Sequence, residues 1–174
     1  MLSIGARILL FVSSYFPLLI IFTIQNLNSH FYWALGLASL GVLSLIGLAL
    51  FIHFVNTSSP RIQEVTFVQR KDTEVMAYIV TYIFPFLGLN FGDLNNIISL
   101  GIFFLILGVI YVNSNMISIN PTLNLLGYHL YEIETQGGTI HTIISRRRRI
   151  SKGDKLSVVV IGDDIMMERM NDNT

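Results

Sequence analysis

The sequence predicts an α-helical membrane protein with four transmembrane helices, both termini in the cytoplasm, and a small antiparallel β domain at the C-terminal end. Three observations lead there. Just over half of the 174 residues are apolar, at 52%, and charged residues are only 13%, about half of what a soluble domain carries. Four long uncharged stretches follow one another before residue 113. All eleven Lys and Arg fall on one side if those stretches alternate across a bilayer.

The first stretch runs from about 8 to 24, with Arg7 before it. It has the basic start and apolar body of a signal peptide. However, "TIQNLNSH" lacks a small-residue cleavage site and further apolar stretches follow, so it reads as an uncleaved helix. The second, about 31–55, is long enough to span with tilt. The third, about 75–92 between Glu74 and Asp93, lies near the lower limit for a span. The fourth, about 94–112, is rich in Ile, Leu and Phe. Backbone groups in lipid must pair internally, which favours helices throughout. Residues 1–116 form the expected transmembrane domain, with 56–74 as a cytoplasmic loop carrying Arg61, Arg70 and Lys71.

The expected cytoplasmic tail, 117–174, reads as β-rich. "GYHLYEIET" and "TIHTIISRR" flank Gly137-Gly138, a two-residue hairpin signal. With those glycines as the turn, Gln136 faces Thr139, Glu134 faces His141 and Tyr131 faces Ile144. One face then collects Tyr131, Ile133, Ile140 and Ile144, and the other Glu132, Glu134 and His141. "KLSVVVIG" reads as a third strand, and "DDIMMERM" as a fourth short strand or a terminal helical turn. So small a unit is expected to lean on the 56–74 loop, on a second copy or on a partner.

No enzyme is expected. The chain has no Cys, no phosphate-binding glycine loop, no paired-His zinc motif and no nucleophile elbow. Gly162-Asp163-Asp164 reads as a turn, and His30, His53, His129 and His141 as scattered polar tips rather than a metal set. No cofactor or metal is expected. No charged residue lies deep in a span, which counts against an ion-coupled transporter.

Other positions suggest packing and motion. Ala34, Ala38 and Gly41 share one face of the second stretch, and Gly101 and Gly108 one face of the fourth. Small residues let helices approach closely, within one chain or between copies. Pro17 and Pro85 lie inside apolar stretches, and Pro85 in "TYIFPFLG" is a candidate hinge.

"SRRRRISK" places Arg146, Arg147, Arg148, Arg149 and Lys152 together in the tail. A solvated loop that enforces orientation, a surface for an acidic protein partner, and a contact with anionic headgroups or nucleic acid all compete for this charge. No aromatic platform or recognition helix accompanies it, so direct nucleic-acid binding is least supported. These five residues are the candidate partner-binding site.

The layout, with "EVMAYIVTYIFPFLGLNFGD", "GVIYVNSNMISINPTLNLLGYHLYEIE" and a basic β-tail, resembles the KwaA family, the membrane subunit of bacterial Kiwa anti-phage defence. That resemblance implies a homo-tetramer in the inner membrane that senses membrane disturbance by phage. It also implies that the cytoplasmic tails hold a DNA-binding effector, KwaB, which suppresses phage replication and late transcription. The family implies no enzymatic activity in this subunit. The competing expectation is a small oligomeric channel or transporter that acts without a partner.

Overall fold

The computed structural model describes residues 4–83, 93–113, 119–162 and 164–169. Among them are six helices and five strands. Helix α1 (Ile4–Ser14) and α2 (Phe16–Asn26) are two halves of one apolar stretch, bent by 51° at Tyr15. Pro17 is the cause, since it has no N–H for the carbonyl of Ser13. The Tyr15 N–H falls back on the nearer Val12 carbonyl at 3.2 Å.

A short turn leads into α3 (Phe31–Thr57), which runs back antiparallel to α1 and α2. Gly47 lies against Leu9 and Gly41 against Phe16 and Leu19. Strand β1 (Arg61–Arg70) follows, then α4 (Asp72–Ile83) and α5 (Leu94–Asn113). Helix α5 packs beside α1, with Tyr15 edge-on to Phe104 and Phe11 beside Tyr111. The short α6 (Pro121–Leu125) leads into β2 (His129–Thr135), β3 (Ile140–Ser145), β4 (Lys155–Val160) and β5 (Ile165–Glu168).

The five strands close into a barrel in the order β1-β2-β3-β5-β4. Inward-facing Val65, Tyr131, Ile133, Ile143, Leu156, Val158 and Met166 fill it, and Ile150 adds to the same cluster from the β3–β4 loop. One outer flank is also apolar. Leu130, Ile144, Val159 and Met167 leave the barrel to meet Leu10, Leu48, Phe51, Val55 and Tyr111 of the helices. The barrel is therefore seated on the helical layer by a second continuous core.

This corrects the expected fold. Among the described residues two helices, α3 and α5, are long and apolar enough to cross a membrane, or three if the bent α1–α2 pair counts as one span. Four were expected. Where the third span was expected, α4 is a 12-residue helix, and residues 84–92, Pro85 among them, lie outside the described residues. The β unit is also not a small antiparallel sheet built from the C-terminal tail alone. It is a closed barrel that takes β1 from the 56–74 loop and pairs β3 with β5 in parallel.

The hairpin register differs from expectation by one residue. Tyr131 faces Ile143, Ile133 faces His141 and Glu134 faces Ile140. The turn holds three residues, Gln136 to Gly138, with Thr135 bonded to Thr139 and Gly138 at a φ of +74°. Only glycine adopts that φ without strain, and a glycine there ends a three-residue hairpin loop. The slip moves Ile144 to the helix-facing flank and leaves Ile140 exposed, away from Tyr131 and Ile133.

Candidate functional site: the barrel and its junction with the helices

The junction is built on buried polar groups. Asn120 caps α6, its side-chain oxygen accepting from the N–H groups of Thr122 and Leu123. Its amide donates the other way, to the Leu10 carbonyl at 3.2 Å and the Ser13 hydroxyl at 3.0 Å. The Thr122 hydroxyl donates to the Ser13 carbonyl, the acceptor that Pro17 leaves without a helical partner. Ser13, Asn120 and Thr122 are all essentially inaccessible. Two segments more than a hundred residues apart thus complete each other's backbone bonding.

A second set of contacts joins β1, α4 and β2. The Asp72 carboxylate accepts from the Leu130 N–H at 2.8 Å and from Arg70 Nε at 2.7 Å, with His129 Nδ1 at 2.9 Å. Burial pushes the Asp72 carboxyl up, but the Leu130 N–H, Arg70 and His129 outweigh it and hold it below the usual carboxylate range. Lys71 lies 3.2 Å from Glu74 and 3.5 Å from Glu132. A shallow cleft lies alongside, lined by Val75, Asn120, Tyr128, His129 and Ile144 among others. Among the described residues no group of His, Asp and Glu has the arrangement to hold a metal ion.

The arginine run divides. The guanidinium of Arg146 lies 4.9 Å from the centroid of the Tyr128 ring and donates to the Leu126 carbonyl at 3.2 Å. Arg147 pairs with the buried Glu168 at 2.7 Å. Glu168 also takes the Ser145 hydroxyl, which in turn accepts the Arg147 N–H. The Tyr131 hydroxyl donates to the Arg147 carbonyl. Arg148, Arg149 and Lys152 are exposed, and among the described residues no carboxylate pairs with them. So the structure brings the five basic residues into one loop but gives two of them internal partners.

The small residues also separate. Ala34 and Gly41 are buried, Ala38 is half-buried, and Gly108 lies against Phe11. Gly101 faces open space. Gly47, which the small-residue pattern did not single out, makes the tightest approach, since a Cβ there would lie 2.2 Å from Leu9 Cδ1. Asn120 and Thr122 were also missed. The available signal was "INPTL", an Asn followed by Pro at the first helical position.

The family model described as "Anti-phage protein KwaA" matches residues 6–167, from the first helix into the last strand of the barrel. The chain belongs to the KwaA family. It is therefore a component of anti-phage defence. A curated relative, the Kiwa protein KwaA of Escherichia coli O55:H7 (strain RM12579 / EPEC), is 26% identical over 110 residues, 63% of this chain and 49% of that protein. The chain spans about half the length of the KwaA relative it matches. No solved structure matches it. The family match takes in β1–β4 whole and β5 up to Met167, so all of the closed barrel but Glu168 lies within the KwaA match.

Proposed function

We propose that this KwaA-family chain is a sensor and scaffold of the bacterial inner membrane, acting as a homo-oligomer with no enzymatic activity of its own. It detects disturbance of the bilayer by phage and holds a cytosolic DNA-binding effector of the KwaB kind on its barrel. Partnership with other Kiwa components follows from the name of its relative. The observation that carries this reading is the way the barrel closes. β1 enters between α3 and α4, while β2–β5 follow α5, and β1 bonds to both β2 and β4. Any shift of α3 against α5 must shear that closure, so the barrel reports on the helices.

The membrane part of the proposal is supported by surface. Only 22% of the most apolar window of α3 and 6% of that of α5 is buried within the chain. A helix apolar all round with so little cover needs lipid or another copy around it. Arg7 donates to the Val112 carbonyl at the end of α5. Arg61, Arg70, Lys71 and the seven later bases lie in or beside the barrel, so positive charge gathers at one end. That end is cytoplasmic in this reading.

For the effector, the barrel offers an exposed row. Phe67, Glu134 and Ile140 lie side by side across β1, β2 and β3. Phe67 is 55% and Ile140 58% exposed, which is unusual for large apolar side chains on a barrel that has already filled its core. The test is co-purification from the native host with an N-terminal tag in mild detergent. A stoichiometric DNA-binding protein is expected with the natural chain and not with Phe67→Glu and Ile140→Glu combined. Recovery of a clean oligomer alone, with ion flux after reconstitution, would replace this reading with the channel.

A further inference from the structure

The loop between β3 and β4 is folded onto the barrel rather than trailing from it. Ile150 is buried in the barrel core, and the Gly153 N–H donates to the Val65 carbonyl at 2.8 Å. Asp154 accepts the Ser151 N–H, and Glu168 is engaged by Arg147 and Ser145. Asp154 and Glu168 are therefore occupied, and Arg148, Arg149 and Lys152 are exposed on a fixed frame.

The loop begins beside α6, because Arg146 bonds the Leu126 carbonyl at the end of that helix. Helix α6 is buried in the helical layer through Pro121, Thr122 and Leu123. Its far side is bare: Leu125 is 72% exposed and Leu126 43% exposed. Two exposed leucines thus adjoin the start of a loop whose Arg148, Arg149 and Lys152 pair with no carboxylate among the described residues. Apolar side chains beside cations that no carboxylate among the described residues neutralises suit the boundary between acyl chains and anionic headgroups. A soluble phosphate would use the cations but not the leucines. An acidic protein would meet the barrel on its Phe67 and Ile140 row, which lies on β1 and β3 rather than on α6.

We propose that Leu125 and Leu126 with Arg148, Arg149 and Lys152 form a binding surface for anionic phospholipids, the leucines in the acyl region and the cations on the phosphates. It rests on the membrane reading above. It makes the seating of the barrel sensitive to the charge of the inner leaflet, because the same loop is tied to α6 through Arg146 and to the barrel through Arg147.

The chain has no cysteine, so a single dye can be placed at Ser151→Cys. That protein is reconstituted into nanodiscs of phosphatidylcholine, or of phosphatidylcholine with phosphatidylglycerol, each carrying a headgroup-labelled quencher lipid. Quenching is expected to rise with phosphatidylglycerol and to fall with salt. Changing Arg148, Arg149 and Lys152 to Gln is expected to abolish the phosphatidylglycerol dependence, at about fivefold in lipid preference for each cation. Leu125→Ser with Leu126→Ser should weaken quenching in both lipids and keep the charge dependence. Equal quenching in the two lipids, or no change in the triple Gln variant, overturns the proposal. So does a dye shielded only when an acidic cytosolic protein is bound. Release of the natural chain from native membranes by carbonate would sink the membrane reading itself, whereas retention with lipid-insensitive quenching sinks only the lipid surface.

Discussion

Thr122 donates its hydroxyl to the carbonyl of Ser13, the one carbonyl of the first helix that Pro17 strips of its helical donor. A residue just ahead of the barrel thereby repairs a break near the start of the chain. The repair ties the bent helix pair to the strand that follows α6, the route by which a movement of the helices would reach the barrel.

Thr122→Val keeps the shape and removes the donor. A buried carbonyl left unpaired costs about 1–3 kcal/mol, and thermal unfolding in detergent should show that loss. Pro17→Ala restores a helical N–H to Ser13. In the Thr122→Val background it should recover part of the stability, so the two substitutions are non-additive. Strict additivity would mean that the contact is incidental.

The arginine run should separate by stability. Arg147→Gln leaves Glu168 buried beside Ser145 with no cation, and about 1–3 kcal/mol of stability should go with it. Arg148→Gln and Arg149→Gln should each stay within about 0.5 kcal/mol of the natural chain. Denaturant unfolding of the three single variants checks the contrast, and equal effects at all three would contradict it.

Acid sensitivity follows from Asp72. Its carboxyl is held below the usual range in the fold, so the unfolded chain takes up the proton first as pH falls. The stabilisation is complete above the ordinary carboxylate pKa of about 3.9 and is lost as pH drops through the lower folded value. Asp72→Asn should therefore be less stable at neutral pH and show a flatter acid limb. A parallel acid limb in the variant would show that other carboxylates dominate.

Glycine substitutions along the helices should sort by neighbour. Gly47→Ala pushes a Cβ into Leu9 and forces that side chain to move, at a cost of about 1–3 kcal/mol. Gly101→Ala meets nothing within 4 Å among the described residues and should gain up to about 1 kcal/mol of helix propensity. If Gly101→Leu leaves the fold intact but changes the mass measured in detergent, the open face of α5 is where copies meet.

The helical stretches were legible because composition alone identifies them. Some twenty consecutive apolar residues, as in α3 and α5, have no other common explanation. The break at Pro17 could also be read, since proline lacks the donor wherever it sits. Strands β2–β4 showed through their alternation and glycines. β1 was harder to see: "RIQEVTFVQR" alternates for no longer than Glu64 to Phe67, the register shifts between Val65 and Phe67, and between apolar helices it read as a loop.

What the sequence determined by itself was local or cumulative: apolar length and the family to which the residues belong. What only the tertiary structure decided depended on partners far away in the chain. β1 becomes a strand because β2 and β4 each supply an edge to it. The hairpin slips by one residue because the barrel core accepts Tyr131 opposite Ile143, and a one-residue change swaps every side chain between the inside and the flank. Two of four identical arginines are structural because Tyr128 and Glu168 happen to lie beside them. Spacing cannot distinguish consecutive like residues; only the groups that the fold brings to each one can.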